Sequence, residues 1–567
     1  MSNLSDKDEQ NKTIEDFRRR EEEALMQLLS AEKYNIPYIN LGTIAIDNEA
    51  LRYVTEAEAR NAEVAPFKIV GKKIMVASHA PSRGEVSQIL ESIQRKGMNP
   101  ELYIASRASL EKVWERYTEL SGATASATGS IEITGDVIME IGESIKTIAD
   151  VKSKIDEAGK DSIHFTSHVL KTIIAGAMKL SASDIHIEPN EDDLTIRYRL
   201  DGVLQEAVVL PIKFFHLISS RIKLISGVKI TNSSIAQDGR FSIFIGEDEI
   251  SVRVSLIPGA YGESIVMRLL NPKSIRVGME VLGIPDNLFK LIDAEIHKPN
   301  GMILLTGPTG SGKTTSLYSF LQRIYSKEVK IITIEDPIEY HLPGITQTQT
   351  DVEKGYTFAA GLRSALRQDP EVIMVGEIRD HETAEIAIEA ALTGHIVFST
   401  LHTNNAAGVI PRFIDLGVNP KILVSALSLS IAQRLVRKIC KECSTTKPAT
   451  PEEVTVINNI LNVAVKNGKD LKPYNVEIKD SYELAMAHGC EKCNFTGFKG
   501  QMGIFEAIYN DQSIQEIIPN NPSEYEIKTV ADKQGIFDMR EDGIVKVLNK
   551  ITTLEEVKSV VSLEENK

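Results

Sequence analysis

Long apolar runs are absent from this sequence, tryptophan occurs once, and basic residues are outnumbered by acidic ones. Without a stretch of about twenty consecutive apolar residues there is no ordinary membrane-spanning helix. The opening MSNLSDKDEQ has neither the basic segment nor the apolar core of an export signal, so a protein that is neither exported nor membrane-spanning is expected. Lysine and arginine total 64 against 79 aspartates and glutamates, a formal net charge of −15. Binding along nucleic acid without sequence preference needs cations to neutralise phosphates and aromatics to stack on bases. With 6% aromatic residues and no evident basic stripe, direct nucleic-acid binding is not expected. Cysteine occurs four times, late in the chain, as Cys440-Lys-Glu-Cys443 and Cys490-Glu-Lys-Cys493. Two pairs so placed read as a metal site in a reducing compartment, not as a disulfide framework.

What is present is ordinary globular composition, 42% hydrophobic and 25% charged, over 567 residues, too many for one core. Residues 17–29 read as a charged helix. A compact α/β pattern follows, with strands at 36–41, 67–70, 73–77 and 103–105 and helices over 47–61, 84–96 and 108–119, giving an N-terminal regulatory or docking domain over residues 1–118. Residues 119–160, rich at first in serine, alanine, threonine and glycine, read as a flexible linker with a transient helix or two. Residues 161–272 read as a second α/β domain: a helix over 164–179, strands at 183–189 and 194–200, and a turn at Asp201-Gly202. A helix ending near Ile225 and strands at 240–245, 250–256 and 263–270 complete it. Arg197, Arg199, Arg240, Arg253 and Arg268 recur on this sheet. From residue 277 onward, apolar strand cores at 302–306, 330–334, 372–375 and 396–399 lack the polar alternation of a half-exposed sheet. With helical stretches between them, they predict a mostly parallel sheet covered on both faces.

The first of these strands runs into Gly307, Pro308, Thr309, Gly310, Ser311, Gly312, Lys313 and Thr314, a glycine, four residues, then Gly-Lys-Thr. Glycines let the backbone curl until its N–H groups point at phosphate oxygens, and the helix that follows adds its positive end. The pattern predicts a nucleoside triphosphate site in which Lys313 holds the β/γ oxygens and Thr314 ligates magnesium. Glu377 ends the apolar run Val372-Ile-Met-Val-Gly, at the strand edge where ligands bind in open α/β sheets, and is placed to orient or deprotonate a water. Glu335, Asp336 and Glu339 follow another strand; Glu335 is a candidate for magnesium through water, and the other two for capping or pairing. His395 and His402 bracket a third strand, with His402 a candidate γ-phosphate sensor. The two CxxC pairs, Cys440 with Cys443 and Cys490 with Cys493, can close a tetrahedral zinc site with no open position, which staples and does not catalyse.

Four segments, Gly307 to Thr315 and on to Tyr318, Ile331 to Glu339, Leu366 to Asp380 and Gly394 to Asn404, resemble in order the Walker A, aspartate, Walker B and histidine boxes of the secretion ATPases that assemble type IV pili or drive type II secretion. Residues 182–189, 197–202 and 237–240 resemble the second domain of that family. The resemblance implies a RecA-like P-loop ATPase core preceded by a PAS-like α/β domain and a small N-terminal α/β domain. It implies an ATP hydrolase with ATP, magnesium and structural zinc as cofactors. Such a motor is a cytoplasmic homohexamer at the inner face of the membrane, docked on a platform protein, with pilus extension favoured and type II secretion or DNA uptake as alternatives. Arg253 and Arg268 match arginines that neutralise phosphate, with Arg240 a further candidate, and the segment 307–315, Glu335 and His395 fall in the nucleotide set. Gln501 stands where an arginine is common.

Overall fold

The computed structural model describes residues 22–34, 36–41, 44, 46–51, 53–70, 73–95, 98–114, 116–117, 135–157, 165–245, 248–271 and 277–564. The chain divides into two compact units, one formed chiefly by residues up to 133 and the other by those after it. Among the described residues no helix is long and apolar enough to cross a membrane.

The first unit is a three-stranded sheet, β1 (Val64–Val70), β2 (Lys73–Ser78) and β3 (Asn99–Ile104), with β2 antiparallel to β1 and parallel to β3. The helix expected over 47–61 is broken in two, Asn48–Leu51 and Glu56–Ala62. Thr55 and Glu58 cause the break: the Thr55 hydroxyl accepts the Glu58 N–H (3.3 Å) and the Glu58 carboxylate accepts the Thr55 N–H (3.0 Å), a capping box that starts a new helix. Residues 36–41 contribute a single bridge, Tyr38 to Ile104, in place of a strand. Part of the segment 17–29 and all of 119–134 lie outside the described residues.

The second unit begins earlier than the sequence suggests. Residues expected in a linker form two helices, α1 (Gly135–Glu143) and α2 (Ile148–Glu157), packed on α3 (Phe165–Lys179). Ile138, Ile145, Val151 and Ile155 are buried there, which gives the helices a tertiary reason to persist. The packing is close at Gly176, where a Cβ would stand 2.7 Å from Val151 Cγ2 and 2.9 Å from the Tyr198 hydroxyl.

A six-stranded antiparallel sheet follows: β4 (Asp184–Pro189), β5 (Asp193–Leu200), β6 (Val203–Pro211), β7 (Gln237–Ile245), β8 (Asp248–Gly259) and β9 (Gly262–Leu270), in spatial order β6-β5-β4-β9-β8-β7. On β5 the residues Leu194, Ile196, Tyr198 and Leu200 are buried and Arg197 and Arg199 face the other way, the period-two pattern of a half-covered strand. β6 was not foreseen. Asp201 (φ 47°) and Gly202 (φ 84°) form a hairpin turn, so the chain returns as a strand before α4 (Phe215–Ser226).

The large sheet has seven strands in order β12-β11-β13-β14-β10-β15-β18. These are β10 (Gly301–Thr306), β11 (Ile331–Glu335), β12 (Thr346–Gln349), β13 (Val372–Val375), β14 (Ile396–Leu401), β15 (Leu427–Ile439) and β18 (Phe498–Tyr509). All pair in parallel except β18, which runs antiparallel to β15. All six residues of β10 are buried: Met302 and Leu304 enter the core on one face, Ile303 and Leu305 the core on the other. Apolar residues at consecutive positions are therefore the signature of a sheet with helices on both sides, as expected for the RecA-like core. Beyond it lie a two-stranded ribbon, β16 (Thr445–Pro448) with β17 (Glu483–Met486), and helices that include α6 (Glu524–Ala531) and α7 (Met539–Leu548), where α5 (Lys313–Ile324) is the helix after β10.

Candidate functional site

Parallel strands bring their C-terminal ends to one edge, and the predicted residues gather there. The loop after β10 has Gly307, Gly310 and Gly312 at φ values of 142°, 78° and 86°, which side chains other than hydrogen tolerate poorly. At Gly307 the approach is also tight, since a Cβ would lie 2.6 Å from the Gln433 carbonyl oxygen. Lys313 opens α5 and folds back over the loop, donating from Nζ to the Gly307 carbonyl (2.7 Å) and the Pro308 carbonyl (3.1 Å). Burial lowers its pKa, Glu377 opposes that and Arg434 adds to it. Thr314 and Thr315 occupy the first turn of α5, and Ser311 is buried with its hydroxyl oxygen unpaired.

Glu377 follows β13 and His402 follows β14. The Glu377 carboxylate meets His402 Nε2 at 3.0 Å and Arg379 Nη2 at 2.5 Å; its side chain is 13% exposed, that of His402 53%. An acid, a histidine and the loop lysine thus share the edge. Glu335, at the end of β11, is buried and accepts from the Tyr318 hydroxyl, from Thr333 Oγ1 (2.5 Å) and from Gln347 Nε2 (3.0 Å); burial raises its pKa against those bonds. Glu339 pairs with Arg253 at 2.9 Å, and Arg253 also donates to the Ile338 carbonyl at 2.7 Å. Arg268 is bound to Asp184 at 2.9 Å, and Arg240 is exposed on β7.

His395 is misplaced in the expected nucleotide set. It stands before β14, its Nδ1 at 3.0 Å from the Ala390 carbonyl, and its own carbonyl accepts the Gly301 N–H at the start of β10. A six-residue strand spans about 20 Å, so the two histidines that bracket β14 lie at opposite edges of the sheet.

The four cysteine sulfurs lie within 4.8 Å of one another. Cys440 to Cys490 and Cys443 to Cys493 measure 3.9 Å and Cys490 to Cys493 3.7 Å. A tetrahedral zinc with sulfurs at about 2.3 Å requires about 3.8 Å between sulfurs. Burial would raise the Cys493 thiol, but N–H groups of Cys490 and Gly497 directed at its sulfur, with the neighbouring thiols, bring it down to about 7. The donor set fits zinc.

A family model described as type II/IV secretion system protein matches residues 159–559, and a second, the MshEN domain, matches residues 34–124. The chain belongs to the first family and carries the second domain. It is a secretion ATPase. It is 36% identical over 539 residues to the type IV pilus assembly ATPase PilB of Myxococcus xanthus, covering 95% of this chain and 91% of that protein. It is 44% identical over 389 residues to the type II secretion system protein E of Aeromonas hydrophila, covering 69% of this chain and 74% of that protein. Among solved structures, the ATPase DotB of Legionella pneumophila matches 71% of this chain and 97% of that chain at 21% identity and a TM-score of 0.49.

Residues that sequence reasoning missed also line the secretion ATPase's sheet edge. Gln433 is buried on β15 and its Oε1 accepts the Ser316 hydroxyl (2.8 Å), tying β15 to the helix after the phosphate loop. Arg434, beside it, reaches Gly307 and the segment after His402. Tyr318 and Gln347 hold Glu335. Apart from Tyr318, which lies in the first quoted box, nothing local in the sequence marks them, because strand pairing alone brings them to the site.

Proposed function

We propose that this secretion ATPase is a homohexameric motor that powers type IV pilus extension by moving an inner-membrane platform protein, and that it works in the cytoplasm at the membrane's inner face through that partner. The carrying observation is that the similarity to the pilus assembly ATPase spans 95% of the chain, N-terminal unit included, against 80% for a type II secretion ATPase of Vibrio cholerae and 69% for the type II protein of Aeromonas hydrophila. The higher identity in that shorter match supports type II secretion as the second reading.

In this reading the 307–315 loop cradles the phosphates, Lys313 draws on the β/γ oxygens, and Thr314 would hold magnesium, which supplies charge neutralisation when bound. An ionised carboxylate has about four lone-pair directions; the three donors on Glu335 leave one for a magnesium-bound water. Glu377 orients and deprotonates the attacking water, with His402 beside it reading the γ-phosphate. Arg253 and Arg268 exchange their carboxylate partners for phosphate oxygens as the second domain closes, and Arg240 lies on the same sheet. Closure is favoured by triphosphate and released after hydrolysis, because the differential contacts are lost. Cys440, Cys443, Cys490 and Cys493 hold structural zinc.

The test is replacement of the chromosomal copy by a Lys313→Ala variant in the source organism. Loss of surface pili with an unchanged profile of secreted proteins is expected. Normal piliation with lost secretion selects the second reading and overturns the first.

A further inference from the structure

The sheet edge holds a cation to which the motor's boxes assign no role. Arg434 lies two residues beyond Ala432, which pairs with Thr306 at the end of β10, so β15 carries it past the point where the phosphate loop departs. Its guanidinium is half-buried and sits against that loop: a Cβ on Gly307 would stand 3.0 Å from Nη1. Nη1 donates to the Gln433 carbonyl at 3.0 Å and Nη2 to the Asn404 carbonyl at 2.6 Å, in the segment just past His402. Among the described residues no carboxylate lies within ion-pairing distance of it. Burial lowers its pKa, and Glu506 is the opposing charge it feels.

A guanidinium does not shed its proton, so a half-buried one with N–H donors to spare is stabilised by an anion. The end of the loop it faces is fixed by Lys313, whose Nζ rests on the Gly307 and Pro308 carbonyls. That amine is the group that takes the β/γ oxygens; burial lowers its pKa, and the charge of Arg434 adds a smaller push in the same direction.

We propose that Arg434 binds the terminal phosphate of ATP from within its own subunit, beside Lys313. Binding there competes with the Asn404 carbonyl for the same fork of donors. The segment after Asn404 is anchored to the C-terminal region, through Asn405 Nδ2 on the Glu524 carboxylate and the Ala406 N–H on Glu506 Oε1 (2.7 Å). The presence of the third phosphate is thereby felt by helices outside the sheet.

This inference rests on the 307–315 loop as the triphosphate site. Full-length protein with magnesium is titrated with a non-hydrolysable ATP analogue and with ADP, and the ratio of the two Kd values is compared between variants. Arg434→Ala should cut the preference for the triphosphate about tenfold or more, chiefly by weakening the ATP analogue, as loss of a charge-assisted phosphate contact requires. A purely structural clamp on Asn404 weakens both nucleotides alike, and that result, or a wild-type ratio, overturns the proposal. Should the alanine variant not fold, Arg434→Lys, which keeps the charge without the fork, carries the same comparison, with a fall of about threefold expected and an unchanged ratio overturning it. Lys313→Ala separates the two levels: full nucleotide binding in that variant refutes the loop assignment, whereas lost binding there with a wild-type ratio for Arg434→Ala refutes only the role of Arg434.

Discussion

Replacing Glu377 by glutamine should stop turnover while sparing nucleotide binding. The side chain is only 13% exposed and its two oxygens are divided between His402 at 3.0 Å and Arg379 at 2.5 Å. Glutamine keeps the volume and one acceptor, so the strand end should hold its shape. What it loses is the negative charge and the basic oxygen. A positioned general base is worth about 10²–10⁴ in rate, or about 2.7–5.5 kcal/mol at about 1.36 kcal/mol per decade. Binding moves the other way: a negative charge near the phosphates opposes them, by about 2 kcal/mol for unit charges about 8 Å apart at an effective dielectric of about 20. The exposed rim screens much of that repulsion. Removing it should leave ATP affinity unchanged or several-fold tighter. The assay is steady-state phosphate release by the full-length protein, paired with equilibrium titration by a fluorescent ATP analogue. A kcat within about threefold of wild type would refute Glu377 as the base, since even the low end of the range exceeds that. A variant that loses binding as well would show that Glu377 supports the loop and does not act on water.

Changing Cys440 and Cys443 to serine should remove about one zinc per chain and lower the thermal midpoint of the C-terminal region, because a structural zinc site contributes folding energy directly; metal analysis that finds no zinc in the native protein defeats this. Stability should also depend on pH through Glu541, a buried carboxylate at 2.7 Å from Lys469. Burial, then the charge of Asp538, push it up to about 7 from an ordinary 4.5, against the pull of Lys469. The folded state therefore binds more protons than the unfolded one across that window. Its contribution is fully present below about 4.5 and is lost as pH rises through about 7, at most on the order of 3 kcal/mol. Glu541→Gln should flatten the slope of the melting midpoint between pH 5 and pH 8, and an unaltered slope rules the assignment out.

Patterns local to the chain were the readable part. The apolar cores of β10, β11, β13 and β14, the phosphate loop, Glu377 and His402 all follow from short-range rules, because a parallel sheet sends its functional groups to the end of each strand. Where a second strand or helix decides the outcome, those rules stop. The Asp201-Gly202 turn was recognised but not the strand that a hairpin turn implies, and the Thr55 to Glu58 capping box was there to be read. The helices over 135–157 read as no more than transient and persist because Val151 and Ile155 find a core on α3. His395 falls at the other edge, because only one end of a parallel strand faces a ligand. Arg434 lay outside the boxes altogether, since its neighbour Gly307 is more than a hundred residues away in sequence.

The β15 and β18 pair has a mechanical meaning. One stiff ribbon begins at Gln433 and Arg434 beside the phosphate loop and runs six residues, about 20 Å, to Cys440 among the thiols. On the returning strand the Gly500 N–H donates to Asp201 Oδ2 (2.8 Å) and Gln501 Nε2 to the Asp201 carbonyl (3.2 Å), while Asn494 beside Cys493 accepts the Ile148 N–H (3.1 Å). The ribbon is thus a beam pinned at both ends, to the nucleotide loop at one and to the hairpin and helix of the second domain at the other. A swing of that domain must bend the beam or shear those three contacts. At the far pin Gln501 contributes a neutral hydrogen bond, so this contact breaks and re-forms without separating an ion pair.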